Sequence, residues 1–311
     1  MIPGLEVTTL GVRGSIPVPD RAFYSVGGHT SCVAIGTPGE PPRLLLDAGT
    51  GIQNARARWG DQPFNGAILL THMHWDHVIG IPFFRNADRD GARTLVGIPH
   101  QAGLSAGETM NRLMSPPHFP IDRHGLQGEW QFEDLHEEVR EIAGYSVRCR
   151  EIPHKGGRTF GFRVEGEGAS IAYLPDHAPY SIGPGVDGLG ELHDGALELA
   201  EGVDVLIHGG HFTAAELELA NLYGHATIEY ALGLAEAAKV GRLVLTHHSP
   251  ARTDEALRSL EVEYADDKVS FAREGESEVV EAGTNSKQLG SRVDSQRMSQ
   301  PAPRSVTRSR S

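Results

Sequence analysis

Cysteine is scarce in this chain of 311 residues: Cys32 and Cys149 are the two present, far apart in sequence and in no Cys-x-x-Cys pair. This argues against a disulfide framework and predicts a reducing compartment, the cytoplasm. No apolar run approaches the length of a membrane span. The first residues, Met1-Ile2-Pro3-Gly4-Leu5-Glu6, have neither a basic nor an apolar region, so neither a signal peptide nor a membrane partner is predicted.

Positive charge is also in short supply, except at the end of the chain. The formal net charge is −13, and residues 285–311 carry +5, which leaves −18 on residues 1–284. A body this acidic is a poor general binder of long polyanions, so RNA is an open but not a favoured partner. We expect one domain over residues 1–284. The Ser/Arg-rich segment 285–311 has few apolar residues and is predicted to be a disordered basic tail.

Short apolar runs bounded by Gly and Pro predict many β-strands. The segment from Thr227 to Val240 is predicted to be a helix that Thr227 caps and Gly241 ends, and another helix opens at Thr253. Strands with helices between and outside them indicate an α/β layered sandwich. The predicted strands are residues 5–12, 32–35, 43–47, 67–71, 94–98, 145–152, 159–164, 170–174, 203–208 and 242–246.

The most informative stretch, His72-Met73-His74-Trp75-Asp76-His77, places three imidazoles and a carboxylate within six positions, after a buried strand. Three further candidates, His154, Asp176 and His247, each follow another predicted strand. Strand ends are rigid mounts for residues that carry chemistry. Imidazole and carboxylate together suit zinc, iron or manganese, so the pattern predicts a metal site.

The order of these residues resembles that of the metallo-β-lactamase superfamily, and the resemblance covers nearly all of residues 5–282. It implies a four-layer αββα sandwich and two divalent ions, with zinc favoured and manganese or iron open. Dimers are common among the look-alikes, so a homodimer stays open. The resemblance implies that the first ion is held by His72, His74 and His154, the second by Asp76, His77 and His247, and both by Asp176. His248 stays open as the ligand in place of His247.

The segment Leu206-Ile207-His208-Gly209-Gly210-His211-Phe212, followed by Tyr223-Gly224-His225-Ala226-Thr227, is similar to the phosphodiesterase branch of that superfamily. This branch includes tRNA 3′-processing ribonucleases and cyclic phosphodiesterases of phosphonate breakdown. The resemblance implies that His225 assists the leaving group. Gly209 stands where the branch leads us to expect an acidic residue. His208 is interpreted as a residue behind the site or in the core, and His211 as a surface residue or one behind the site.

Two absences bear on the substrate. Only 22 positions separate His154 from Asp176, enough for two strands and a turn but not for the long arm with which tRNA-processing relatives grip their substrate. The cysteine-rich zinc site of the phosphonate-pathway enzymes is missing as well. We therefore predict a hydrolase of small or cyclic nucleotide-type phosphodiesters, in which a metal-bridging hydroxide attacks phosphorus and Asp76 orients it. A tRNA 3′-processing endoribonuclease, a thioester or lactone hydrolase, and a low-turnover metal-binding sensor or scaffold remain alternatives.

Overall fold

The computed structural model describes residues 3–101 and 103–281, which form two packed seven-stranded mixed sheets with helices on their outer faces. This confirms the predicted α/β sandwich. The boundary at residue 284 and the predicted tail 285–311 lie outside the described residues. Within them, no helix combines the length and the apolar character that crossing a membrane requires. Cys32 and Cys149 are both buried and unpaired, as expected.

The first sheet has the order β14-β1-β2-β3-β4-β5-β6. Its pairs from β14 to β3 are antiparallel and those from β3 to β6 are parallel. Its strands are β1 (Leu5–Gly11), β2 (Cys32–Gly36), β3 (Leu44–Leu46), β4 (Asn65–Leu69), β5 (Arg93–Pro99), β6 (Glu129–Leu135) and β14 (Ser277–Val280).

The second sheet has the order β13-β12-β11-β10-β9-β8-β7. Here β7 to β10 pair antiparallel, and β10 to β13 pair parallel. Its strands are β7 (Val139–Ile142), β8 (Tyr145–Glu151), β9 (Phe160–Gly166), β10 (Ala169–Leu174), β11 (Val205–Gly209), β12 (Arg242–Thr246) and β13 (Val269–Phe271).

Seven helices complete the layers in the described part of the chain. The first three pack on the first sheet, and α4, α6 and α7 pack on the second. They are α1 (Asn54–Trp59), α2 (Trp75–Val78), α3 (Ala106–Leu113), α4 (Asp194–Ala200), α5 (Leu217–Tyr223), α6 (Ile228–Ala237) and α7 (Asp254–Tyr264).

The period of two in a strand divides its side chains between two cores. In β3, Leu44 and Leu46 point between the sheets, whereas Leu45 points towards the outer helices, and all three are fully buried. Burial of one such leucine contributes about 1.5–3 kcal/mol. Strands buried on both faces read as continuous apolar runs, which is why the central strands could be recognised from the sequence.

All ten predicted strands are present, with small differences at their ends. The predicted helix from Thr227 is confirmed with Thr227 as its cap, but its predicted end at Gly241 is wrong. The helix stops at Ala237, because Lys239 adopts the left-handed backbone conformation, with φ 55°, and reverses the chain before Gly241. Thr253 caps α7 as predicted.

A fully buried arginine ties the start of the chain to the segment before α7. Arg13 Nε donates to Gly27 O at 2.7 Å, and Arg13 Nη1 donates to Arg252 O at 2.9 Å. Arg13 Nη2 lies 3.7 Å from Asp254 Oδ1. Burial lowers the pKa of Arg13 to about 10, and Asp254 opposes that shift. The guanidinium therefore stays charged and depends on Asp254 inside the protein.

Replacement of this partner, Asp254→Ala, is expected to destabilise the fold by about 3–5 kcal/mol, because it leaves a buried charge without its counter-ion. Urea unfolding measures the loss. Asp267→Ala, at an exposed acidic residue, is the control and should stay within about 0.5 kcal/mol of the native protein. Equal stabilities for the two variants would show that the Arg13–Asp254 pair contributes nothing.

Candidate metal centre

Three of the predicted ligands meet at the ends of strands from both sheets. His72 and His74 lie between β4 and α2, and His154 follows β8. His74 Nδ1 lies 2.8 Å from His72 Nε2 and 3.3 Å from His154 Nε2. Burial lowers the pKa of His72 and His74, and lowers the pKa of His154 to about 4. The three imidazoles are therefore neutral near pH 7, which is the form that binds a metal.

A second group joins Asp76 and His77, at the start of α2, to His247, which directly follows β12. His247 Nε2 lies 3.2 Å from Asp76 Oδ2 and 3.3 Å from His77 Nε2, and Asp76 Oδ2 lies 3.3 Å from His77 Nε2. Ligands of a tetrahedral zinc ion, bound at about 2.0–2.1 Å, are separated by about 3.3–3.4 Å. The spacing of this group fits such an ion.

Asp176, just past β10, lies between the two groups and is 2% exposed. Its Oδ1 is 3.8 Å from His154 Nε2, whereas its Oδ2 is 2.9 Å from His77 Nε2 and 3.2 Å from His247 Nε2. Burial raises the pKa of this carboxyl, but His247 and His77 outweigh burial and hold the pKa well below its ordinary value. Asp176 is thus an ionised carboxylate with one oxygen towards each group.

The donor set fits divalent metal. Asp176 Oδ2 is buried without a hydrogen bond of acceptable geometry, although two imidazole nitrogens lie within 3.2 Å of it. The cluster is rich in imidazole, with two carboxylates among its seven side chains, a combination that suits zinc and related ions. A buried carboxylate oxygen that faces ring nitrogens without a hydrogen bond is typical of a metal ligand.

The outward nitrogens of His77 and His154 are held by neighbouring residues. His77 Nδ1 lies 2.7 Å from Asp47 Oδ2, and Asp47 also accepts hydrogen bonds from Thr71. His154 Nδ1 donates to Gly224 O at 2.7 Å. Contacts of this kind fix the ring orientation and the tautomer of a metal-binding histidine. Asp47 therefore braces the loop that carries the first ligands.

The structure separates His247 from its neighbour. His247 points into the cluster, whereas His248 Nε2 donates to Ala272 O at 3.0 Å and its ring stacks on Phe271. Burial lowers the pKa of His248 to about 3. Of the two residues left open by the sequence, only His247 lies with the other candidates.

His225, between α5 and α6, also reaches the cluster. Its Nδ1 lies 3.2 Å from Asp176 Oδ1, and its ring is 5.6 Å from that of His154, centroid to centroid. Thr227 then caps α6 by accepting a hydrogen bond from Tyr230 N. His225 thus lies beside Asp176, with its ring close to those of both His154 and His247, the latter at 5.3 Å.

His211 is more central than the sequence indicated. It is 5% exposed, so it is not a surface residue, and its Nδ1 lies 3.3 Å from His247 Nδ1. Its ring is parallel to that of His225 at 4.5 Å, with an interplanar angle of 3°. The sheet explains this position: β11 and β12 are parallel neighbours with Gly209 opposite Thr246, so residues just past both strands meet at one edge.

Gly209 stands where an acidic residue was expected, and the reason is steric. A Cβ at this position would lie 2.3 Å from Pro175 O, so no side chain fits, acidic or otherwise. His208, one position earlier, is fully buried behind the site. Its Nδ1 donates to Gly209 O at 3.0 Å, and its Nε2 lies 3.2 Å from His177 Nδ1.

The loop after β1 closes the centre from the amino-terminal side. Ser15 N donates to Asp76 Oδ2 at 2.6 Å. A Cβ on Gly14 would lie 2.3 Å from His247 Cε1 and 2.9 Å from His211 Nδ1. The glycine therefore lets the backbone approach both rings closely.

Two packed mixed sheets with a histidine and aspartate cluster at their strand ends define a class, the metal-dependent hydrolases of the αββα type. A sequence model described as a beta-lactamase superfamily domain matches residues 42–248. The chain belongs to the beta-lactamase superfamily, and the predicted metal-dependent hydrolase is confirmed.

Individual relatives agree with this assignment. Ribonuclease Z of Lacticaseibacillus casei (strain BL23) is 30% identical over 282 residues, covering 79% of this chain and 85% of that protein. The metallo-beta-lactamase fold protein YhfI from Bacillus subtilis superposes with a TM-score of 0.63 at 18% identity, over 88% of this chain and 99% of that one. The short form of human tRNase Z gives a TM-score of 0.60 at 23% identity, with the same coverages. The two structures share the fold.

We expect Gly14→Ala to lower the affinity for metal by about 10–100-fold, the usual effect of disturbing what holds a ligand in place. The new methyl group would displace His247 and His211. Metal content after dialysis against a buffered chelator measures the change. Gly233→Ala is the control, since a Cβ there meets nothing within 4 Å, and it should keep the native metal content. Native metal content in Gly14→Ala would contradict the steric argument.

The metal-free protein is expected to lose stability as the pH falls from about 6.5 to about 4. Burial lowers the pKa of His208 to about 4, whereas an unfolded histidine titrates near about 6.5. Between these pH values the unfolded chain binds the proton and the folded protein does not. The free energy of unfolding therefore decreases as the pH is lowered, by roughly 3 kcal/mol for this group. Urea unfolding of chelator-treated protein at several pH values should give a shallower pH dependence for His208→Gln. Equal slopes would contradict the linkage.

Proposed function

We propose that the chain is a two-metal phosphodiesterase that acts on small or cyclic nucleotide-type substrates. Its coarser activity, hydrolysis of phosphodiesters by a metal-dependent enzyme, follows from the family and from relatives that carry the name Ribonuclease Z. The observation that carries the proposal is the position of Asp176, with one oxygen towards each group of ligands and His225 beside it.

In this proposal His72, His74 and His154 would hold one ion, Asp76, His77 and His247 would hold the other, and Asp176 would contribute a ligand to each. The imidazole-rich set favours zinc over manganese or iron. Two such ions would lower the pKa of a water molecule between them and stabilise the charge that develops on phosphate oxygens. The five nitrogens and two carboxylates converge from both sheets, which keeps the ligands rigid.

The chain's own residues supply the remaining steps. Ser15 N fixes Asp76 Oδ2 at 2.6 Å, so this carboxylate keeps a defined orientation towards an attacking water. His225 lies beside Asp176 Oδ1 and can donate a proton to the leaving oxygen. The amino terminus of α6 begins three residues after His225, and helix amino termini attract anions such as phosphate. Orientation by Asp76, proton donation by His225 and anion attraction at the start of α6 therefore all act at the metal cluster.

The substrate preference rests on shape and charge. The chain between His154 and Asp176 is a hairpin of β9 and β10 joined by Glu167 and Gly168, with Gly166 paired to Ala169, so it carries no protruding arm. The acidic body, with −18 over residues 1–284, repels long polyanions. Both features favour a substrate small enough to be held by the metal centre itself.

A second candidate is a tRNA 3′-processing endoribonuclease. It is favoured by the Ribonuclease Z relatives, of which one is 30% identical and matched over 85% of its length. The ligand set would serve that reaction equally well, so the difference between the candidates lies in how RNA outside the metal centre is gripped. A substrate comparison separates them directly.

The protein loaded with zinc or manganese is expected to cleave bis(p-nitrophenyl) phosphate and, within a panel of cyclic nucleotides, dinucleotides and precursor tRNA, to prefer the small substrates. The steady-state kcat/KM for each substrate is the measurement. Efficient release of mature tRNA ends with weak cleavage of the small diesters would favour the ribonuclease instead. Hydrolysis of thioesters with no cleavage of any phosphodiester would overturn both candidates.

Two variants test the assigned roles. Asp76→Ala should bind fewer than two ions and lose activity, because it removes a ligand of the second group. His225→Ala should keep both ions and lose kcat by about 10²–10⁴-fold, the usual contribution of a general acid. His124→Ala, at an exposed histidine, is the matched control and should retain native kinetics. Unchanged kcat in His225→Ala would remove this residue from the mechanism.

A further inference from the structure

His247 differs from three of the other predicted ligands in what holds its outward nitrogen. For His72, His77 and His154 the partner is a hydroxyl, a carboxylate and a carbonyl. For His247 it is another imidazole, His211, with 3.3 Å between the two Nδ1 atoms. Two nitrogens of the same kind at this distance require one to donate and the other to accept.

The direction of this hydrogen bond follows from which nitrogen of each ring carries the proton. His247 Nε2 points at Asp76 Oδ2 and Asp176 Oδ2, where a metal ligand needs its lone pair. In a neutral imidazole the proton then lies on Nδ1. His247 Nδ1 therefore donates and His211 Nδ1 accepts, which places the proton of His211 on its Nε2. One contact thus sets the tautomers of both rings.

His211 is itself firmly held. Arg252 Nε donates to His211 O at 3.3 Å, and the Arg252 guanidinium pairs with Glu216. Glu216 closes a capping box with Thr213, two residues after His211. A short parallel bridge joins Phe212 to Thr227. These contacts fix the backbone that carries the ring, which is a requirement for a residue that positions another.

An extra metal site is the alternative explanation, since nitrogens of His211, His225 and His247 lie within 4.8 Å of one another. The ring planes argue against it. His211 and His225 are parallel to within 3° at 4.5 Å, so their in-plane lone pairs run side by side and do not converge on a common point. Stacking and a single hydrogen bond account for the arrangement better than a third ion.

We propose that His211 is a positioning residue that orients His247 through its Nδ1 acceptor and supports His225 by ring stacking. This inference rests on the proposed ligand role of His247. It assigns to the segment Gly209-Gly210-His211 a task in place of the acidic residue that does not fit at Gly209. His211 acts through its neighbours and has no contact with the substrate in this scheme.

Two substitutions divide the contributions of His211. His211→Phe keeps a flat ring against His225 but removes the acceptor, whereas His211→Asn keeps a short acceptor near the position of Nδ1 and removes the ring. Competition of the protein with a chelator for Zn²⁺ gives the affinity of each variant. We expect His211→Phe to lose about 10–100-fold in the affinity of the weaker site, and His211→Asn to stay close to the native value. The asparagine variant should instead lose kcat.

The possible outcomes distinguish the proposed positioning role of His211 from the proposed ligand role of His247. If His247→Ala loses metal but His211→Phe does not, the inference about His211 is wrong and the ligand assignment stands. If His247→Ala also keeps its metal, the assignment of His247 is wrong. Native affinity in His211→Phe with a loss in His211→Asn would mean that His211 acts by packing alone, and equal losses in both variants would mean that the Nδ1 acceptor does not account for the effect. Either result overturns the inference. Circular dichroism of each metal-free variant, with His211→Ala measured beside them, shows whether a loss of metal is a loss of fold.

NMR on the Zn²⁺-loaded protein with ¹⁵N-labelled histidine reads the tautomers without any substitution. We expect His211 to carry its proton on Nε2 and His247 on Nδ1. A proton on His211 Nδ1 would overturn the proposed direction of the hydrogen bond. A signal from more than two ions per chain in the accompanying metal analysis would favour the third site.

Discussion

Two buried, ionised carboxylates constrain everything around them. Asp76 and Asp176 are 8% and 2% exposed, and a carboxylate is kept charged inside a protein only when cations or hydrogen-bond donors replace its water. Imidazoles and the Ser15 amide do so here, and divalent ions would do so more strongly. The imidazoles and the Ser15 amide must lie close to the two carboxylates. They are brought there by strand ends from both sheets, by the buried Asp47 and by the glycine at position 14.

The backbone is distorted where this convergence is tightest. Ser15, Asp47 and His247 adopt left-handed conformations, with φ of 68°, 61° and 54°. Such conformations cost of order 1–3 kcal/mol each and persist where the surroundings enforce them. Each of the three follows or lies near the end of a strand whose core side chains are fully buried. The sandwich thus supplies the packing energy that holds the site in a geometry the isolated loops would not adopt.

The candidate ligands could be predicted from the sequence more completely than the strands and residues around them. Imidazoles and carboxylates after buried strands predicted which side chains meet, because parallel strands bring their ends to one edge. Four strands were not predicted from the sequence. The side chains of β6, β7 and β14 are mostly half-buried or exposed, so they lack a continuous apolar run, and β13 has only three residues. His211 was placed at the surface or behind the site since its contact with His247 spans 36 positions and depends on the register of β11 against β12. The absent acidic residue at Gly209 could be seen in the sequence, but its steric reason could not.

The order of the ligand candidates along the chain has a consequence for folding. His77 and His247 are 170 positions apart, yet their Nε2 atoms lie 3.3 Å from each other. During synthesis, the four candidates of the first loop leave the ribosome long before β12 exists, so an ion captured then would have an incomplete coordination sphere. Closing so long a loop costs entropy that local contacts do not repay. The full set of candidate ligands therefore comes together only when β12 has joined the second sheet and the two sheets are packed against each other.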